Sequence, residues 1–582
     1  MKKWILMSVL PIACGQMIGC ARENRMNTPQ PPAQVVPMYG VHEISIACDD
    51  KFDNPFRDAA CWAAFVSPDG KTASVEGFYF GGSQWRVRFV PRRQGTWKWT
   101  AQITGGAKPV KQSGAFLCQG AAGHGFLKIS KANPFRYEYE DGTPFYPIGI
   151  QTCNFLQPDF DGPGLVAGAG ASSQPAWRSV STPEWLQAFK GAVNLVRTQF
   201  GQGRADGCSF CLIPAPPRLP KGATKPANPT TIPADRYDLD LAKKLDDTYQ
   251  LHRAAGVSQI LILYQDMSLW GPTDNTTGPP CAFGNARDLV NYKSPRAANM
   301  PLQEQYIRYI VARYGCYVDI WEIFNEDSYA PDDYLAHLAA VIRGADPYGH
   351  LLTTNYARPD AAWCDLNTWH EYMGMSANEV DDYVVSQIAV LKSYGKLVQN
   401  TEFGNQGKLG NVDPVKWRIA VWSAFMHESG ILFWGMSGRQ TEGRAGSGNS
   451  NAYIGPDSRQ HFRAFHQLTH DLPTDIRPAM IGYTAHDNVR VYGLCNGRQG
   501  IVYIHHFNDH TSAFAGGKLM MQTGQGLWRM RWFDPADGKE VASADVSTPQ
   551  QYLVFQPPPV TIDLVGRLER IGNTTPATQP QK

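Results

Sequence analysis

Glu326 lies near the end of the stretch YVDIWEIFNED, residues 317–327, and Glu402 lies in VQNTEFG, residues 398–404. Each is a carboxylate at the close of a run of β-branched and aromatic residues, where a strand needing only burial would carry another apolar side chain. Two carboxyls aimed at one atom can divide a reaction. One gives its proton to a leaving oxygen; the other attacks the carbon which that oxygen leaves. On the acetal carbon of a glycoside, carboxyls about 5 to 5.5 Å apart do this with retention of configuration. Arg197, in VNLVRTQF, lies near the end of a third such run. Glu322 lies deeper in its strand than Glu326, which suits a buried ion pair better than catalysis.

For these groups to meet, the strands must close on one another. From about Gly125 to Leu472 short apolar runs alternate with amphipathic helices. The strand candidates are PFYPIGI, VNLVRTQF, QILILYQ, YVDIWEIFNE, LLTTN, NTWHEY, KLVQNTEFG and ILFWG. Helical spacing between them is carried by Leu241, Leu245 and Tyr249, by Leu335, Leu338 and Ile342, by Val380, Val384 and Ile388, and by Ile419, Trp422 and Met426. Eight continuous apolar strands separated by helices predict an α/β fold, a (β/α)8 TIM barrel. In such a ring the fourth and seventh strands face each other, and their C-terminal ends open on the functional rim. Segments 154–180, 200–236 and 266–300, rich in Gly, Pro, Asn and Asp, are expected to be the long loops of that rim. Neither GxGxxG after a strand nor GxxxxGK[ST] occurs, which counts against nucleotide binding.

Both flanks read as β-sandwiches. Trp97, Trp99, Ala101 and Ile103 share one strand face, and Trp528, Met530 and Trp532 alternate with Arg529 and Arg531. The expected organisation is a signal peptide over 1–20, a Pro-rich linker over 21–37, a sandwich over 38–121, the barrel over 122–473, a second sandwich over 474–569 and a disordered tail over 570–582. Lys2, Lys3 and the apolar stretch to Ile18 form the export signal, and MIGC resembles a bacterial lipobox that would make Cys20 the lipidated residue. The expected location is therefore the bacterial cell envelope, periplasmic or surface-exposed, with the membrane met through lipid alone. A formal charge of +2 without long charge runs argues against nucleic acid as a partner.

The motifs IWEIFNE and TEFG resemble the acid/base and nucleophile motifs of the clan A retaining glycoside hydrolases. The resemblance implies that Glu326 is the acid/base, Glu402 the nucleophile, Asn325 the donor to the sugar 2-hydroxyl, Arg197 the partner of the nucleophile, and Trp434 a platform beneath the sugar. On the sixth strand TWHEY offers His370 or Tyr372 to orient the nucleophile, and both stay open. The N-terminal sandwich and the entry GFLKIS…FRYEYEDGTPFYPIGIQT are similar to those of bacterial hydrolases bearing a domain of unknown function. The final WFDPADGKEV resembles a C-terminal module named for collagen binding. A poly- or oligosaccharide substrate follows from the resemblance, with no cofactor and no metal.

Competing readings exist for most of these residues. Trp270, Trp363 and Trp369 suit either sugar platforms or loop packing. His505, His506 and His510 read as a solvated strand face, and the single CxxC at Cys208 and Cys211 is no zinc site by itself. Glu371 is a rival third carboxylate. A non-catalytic glycan- or matrix-binding lipoprotein is the alternative from another class; a serine hydrolase lacks its GxSxG elbow.

Overall fold

The computed structural model describes residues 34–151, 182–199, 212–213, 235–265, 295–326, 330–372, 374–404, 413–434, 456–484 and 487–573. All eight expected barrel strands form: β1 (Ile148–Gln151), β2 (Leu195–Gln199), β3 (Ser258–Gln265), β4 (Ile320–Asn325), β5 (Leu351–Thr353), β6 (Leu366–Glu371), β7 (Leu397–Phe403) and β8 (Ser429–Trp434). They lie parallel in the order β5-β4-β3-β2-β1-β8-β7-β6. The seam between β5 and β6 is bridged by Asp365 N–H to the Leu352 carbonyl (2.8 Å) and by hydroxyl bonds from Thr353 to the Leu366 carbonyl (2.8 Å) and from Thr368 to the Thr354 carbonyl (2.9 Å). The protein is thus a TIM barrel flanked by β-sandwich domains.

The helices between the strands are α1 (Thr182–Phe189), α2 (Leu239–Ala254), α3 (Pro295–Tyr314), α4 (Asp332–Ala345), α5 (Val380–Lys392), α6 (Pro414–Met426) and α7 (Pro456–Thr469). Asp238 and Asp413 cap α2 and α6, each carboxylate accepting two of the backbone N–H groups left over at a helix start. The long rim segments expected from the sequence lie largely outside the described residues.

The barrel is apolar at its lower end and polar above. Leu195, Ile260, Ile320, Leu351, Leu366, Leu397 and Leu432 pack into one layer, plugged from below by Leu127, Tyr137 and Phe145 of a small three-stranded sheet. That plug shuts water out of the ring bottom, so polar side chains in the next layer must find partners among themselves.

The N-terminal sandwich packs a five-stranded on a three-stranded sheet, with Trp97, Ala101 and Ile103 inward as the alternation predicts. Its first strand begins at Gln34, four residues before the expected boundary, because it pairs in parallel with Phe116–Cys118. The C-terminal sandwich packs six strands on three, and its last strand runs to Gly572, beyond the expected boundary at 569, held by Leu527 and Trp528.

Each sandwich is tied to barrel helices by buried charge. Arg88 of the N-terminal sandwich donates to Asp246 of α2 at 2.8 Å and to the Arg313 carbonyl at 2.7 Å, while Arg313 of α3 grips Asp246 at 2.6 and 3.0 Å. On the other flank Arg418 of α6 holds Asp563 at 2.6 and 2.9 Å. Asp381 of α5 accepts from Arg490 at 2.6 Å and pairs with His505 Nδ1 at 2.7 Å. The solvated-face reading of the histidine trio therefore fails. His505 is buried against the barrel helix that bears Asp381, with its Nε2 3.0 Å from His510 Nε2, and His506 is buried within the sandwich, its Nδ1 3.1 Å from the Thr561 carbonyl. No helix among the described residues is long and apolar enough to cross a membrane.

Asp246→Ala would leave two buried guanidinium groups without their shared carboxylate. It is expected to destabilise the protein by about 3–5 kcal/mol in denaturant unfolding. Asp545→Ala, which breaks a solvent-exposed pair with Arg529, is expected to leave the unfolding midpoint close to that of the wild type. Equal costs would contradict this account of the domain junction.

Candidate active site

Arg197 leaves β2 pointing into the ring and is fully buried. A guanidinium has five N–H donors, and here each meets an acceptor. Nε and Nη2 form a fork on Glu322 at 2.7 and 2.5 Å; Nη2 also reaches Asn325 Oδ1 at 2.7 Å. Nη1 donates to Gln151 Oε1 at 2.8 Å and to Glu402 Oε1 at 2.6 Å. One side chain thus ties β1, β2, β4 and β7 together at the polar layer. Glu322 is the buried ion-pair partner expected from its depth in the strand.

Glu326 and Glu402 both sit where the backbone departs from a regular strand. Glu326 follows the last residue of β4 with a φ of 50°, in the left-handed region that non-glycine residues seldom enter. This turns its side chain over the mouth, where it is one-third exposed. On β7 the pairing with β6 slips between Asn400 and Glu402, and the pairing with β8 slips between Asn400 and Phe403. Such a bulge re-aims a side chain, here that of Glu402, which is nearly buried.

His370 of β6 stands between the two. Its Nδ1 is 2.7 Å from Glu326 Oε1 and 3.5 Å from Glu402 Oε2, and its buried Nε2 has no partner among the described residues. One carboxylate oxygen of each glutamate and one ring nitrogen of His370 lie within 4.8 Å of one another.

The charges explain where a proton resides. Arg197 is matched by the fork on Glu322, so Glu402 shares a cation that is already balanced. Burial pushes the Glu402 carboxyl up to about 8, with Glu326 and Glu322 adding repulsion against the pull of Arg197. The hydrogen bond to His370 instead holds Glu326 below its usual value. Burial lowers His370 and favours a neutral ring. Of the two carboxyls, Glu402 is the one whose surroundings favour the protonated form and Glu326 the one whose surroundings favour the charge. Burial is the first cause of this preference, and it acts on Glu402 against the pull of Arg197.

The same three donors could hold a divalent cation in principle, since two carboxylates and an imidazole suit transition metals. The Arg197 guanidinium, 2.6 Å from Glu402, repels a cation there. The cluster is better matched to a proton.

The other expected site residues fall into three groups. Asn325 joins the Arg197 network, and Tyr372, half-buried, meets the His370 ring edge-on at 6.3 Å. Trp434 ends β8 beside Gln151 of β1, its side chain lying outside the described residues, as do Trp270, Cys20, Cys208 and Cys211. Trp369 is buried in the helix-facing core, and Trp363 packs against the core beneath α4, so both are packing residues. Glu371 faces outward, with Tyr383 of α5 and Lys416 of α6 as neighbours, and is no third member of the pair. Sequence reasoning missed Gln151. Its signal was the one that found Glu326, a polar residue closing the apolar run PIGIQ.

Residues 35–104 match a family described as a domain of unknown function, DUF5060. No curated protein matches the chain. Among solved structures, a Bacteroides vulgatus ATCC 8482 protein proposed to be a glycoside hydrolase is similar over 92% of this chain and 100% of its own, at 17% identity and a TM-score of 0.64. A family 5 mannosidase from Rhizomucor miehei covers 59% of this chain and 96% of its own, at 12% identity and a TM-score of 0.39. An endo-β-1,4-mannanase from Thermotoga petrophila covers 69% and 92%, at 13% identity and a TM-score of 0.37. The first of these likenesses extends over both sandwiches and the barrel, and at its identity it is a likeness of fold.

Proposed function

We propose that this protein is a retaining glycoside hydrolase that cleaves O-glycosidic bonds of a poly- or oligosaccharide. The observation that carries the reading is the meeting of Glu326, Glu402 and His370 donor atoms within 4.8 Å at the C-terminal rim. Donor atoms this near one another favour a retaining pair, with carboxyls about 5 to 5.5 Å apart, over an inverting pair at about 6.5–9.5 Å. Glu402, nearly buried on Arg197, is the nucleophile. Glu326, one-third exposed at the mouth, is the acid and then the base.

Before attack the proton must leave Glu402 for Glu326. His370 Nδ1–H, which donates to Glu326, passes its own proton there and takes up the one that Glu402 releases as a sugar fills the site. Glu402 then bonds to the anomeric carbon as Glu326 protonates the departing oxygen. Water next attacks the glycosyl ester, giving its proton to Glu326 and freeing Glu402. Arg197 takes Asn325 Oδ1, so this amide meets a sugar as a donor through Nδ2, suited to the 2-hydroxyl. Trp434, closing β8 at the same rim, belongs to the reading as the sugar platform. Export and lipidation at Cys20 are part of it too, placing the enzyme at the cell envelope where polymeric glycans are met.

On a polysaccharide panel read by released reducing ends, Glu402→Ala is expected to abolish turnover and Glu326→Ala to reduce it about 10²–10⁴-fold. Azide should restore turnover of an activated glycoside in both variants, giving an inverted glycosyl azide with Glu402→Ala and a retained one with Glu326→Ala. Wild-type rates in either variant would refute the assignment.

Proton placement also has a stability consequence. A carboxyl raised on folding keeps its proton while the unfolded chain loses it. Its contribution is therefore intact below about 4.5 and shrinks as pH rises toward about 8. Glu402→Gln, which cannot ionise, should melt higher than wild type by about 1–3 °C near pH 8 and by little at pH 4.5. A gap independent of pH would argue against a protonated Glu402.

A further inference from the structure

Among the described residues two aromatic side chains stand well out into solvent, Tyr394 and Tyr356. Tyr394 follows α5 and precedes β7, on the face of the barrel away from the site, where an exposed ring has no chemistry beside it. Tyr356 is different. It follows β5 on the C-terminal rim, is 42% exposed, and its ring centroid lies 6.1 Å from that of His370, the residue that holds Glu326. Because β5 sits between β4 and β6, the ring lies on the Glu326 side of the pair.

The loop bearing Tyr356 is braced. Arg358 donates to the Tyr356 carbonyl and to the Ala330 carbonyl, each at 3.5 Å, and its Nε lies 3.3 Å from Asp332 at the start of α4. Lys396 Nζ holds the Arg358 and Ala361 carbonyls at 3.3 and 2.7 Å. An apolar ring on a fixed loop costs little entropy to use as a contact surface.

We propose that Tyr356 is the platform for the sugar on the leaving-group side of the scissile bond. This rests on the retaining reading above and extends it. The acid stands beside the oxygen that departs, so a ring adjoining the acid meets the departing group, and a pyranose offers it an apolar C–H face. The leaving group is then itself a sugar, and the same surface receives an acceptor sugar in the reverse sense. In that step the acceptor hydroxyl oxygen bonds to the anomeric carbon as its ester bond to Glu402 breaks, and the hydroxyl proton passes to Glu326.

The test uses the full chain. A 2-deoxy-2-fluoro glycoside with a dinitrophenolate leaving group, built on the sugar released in the polysaccharide panel, traps the glycosyl-enzyme. Reactivation is then timed in buffer alone and with cellobiose, mannobiose or xylobiose as acceptor. The readout is acceptor-stimulated rate over water rate, within each variant. Tyr356→Leu, which keeps bulk without a ring face, is expected to lower this ratio about 3- to 10-fold, and Tyr356→Phe to preserve it. Covalent labelling by mass shows that each variant is folded. A wild type that releases no sugar and accepts no label overturns both this proposal and the retaining reading. A labelled wild type whose ratio survives Tyr356→Leu overturns the platform alone.

Discussion

Among the described residues, the charged groups inside the barrel are arranged around one buried cation. A guanidinium taken out of water must have each donor satisfied and its charge balanced, or the fold loses several kcal/mol. Arg197 meets that demand with acceptors from β1, β4 and β7, which have to arrive at one height in the ring. The constraint acts on register. A slip of one residue in any of these strands would turn its polar side chain outward to the helices.

The same cation sets the chemistry through what it fails to neutralise. Glu322 takes the fork, and burial disfavours a charge on Glu402, which shares the same guanidinium. Unlike surroundings of this kind push the pKa values of two neighbouring carboxyls apart. The difference follows burial: Glu402 lies below the rim and Glu326 above it. The outer domains contribute rigidity. Arg88, Arg313 and Asp246 clamp α2 and α3, while Arg418 with Asp563 and Asp381 with Arg490 clamp α5 and α6. Those helices back strands that carry the site.

Much of this was legible in the residues. Alternation of apolar runs with helices gave the ring, and the carboxylates at the ends of IWEIFNE and VQNTEF marked its rim, because burial penalises charge and the exceptions stand out. The TWHEY stretch left His370 and Tyr372 open, and only the fold sets the His370 ring between the glutamates. The histidines of the last sandwich misled for a related reason. Alternation along GIVYIHHF reports a strand with two faces, but it does not say that one face is covered by α5. Side-chain period belongs to a strand, whereas what covers its face is a property of the assembled chain.

Least legible were the two backbone departures, and they bear most directly on mechanism. Nothing in FNED announces a left-handed Glu326, since glutamate has no preference for that region and a glycine would enter it at lower cost. Nothing in QNTEFG announces a bulge. A regular β4 and β7 would alternate their side chains in step with their neighbours, and the carboxyls would have been fixed by pleat alone. The left-handed turn lifts one over the mouth; the bulge turns the other onto Arg197. Conformations that cost of order 1–3 kcal/mol each persist only where surrounding contacts over-determine them. Here the Arg197 network below and the His370 bond above do so, and the distance between the carboxyls follows from that balance.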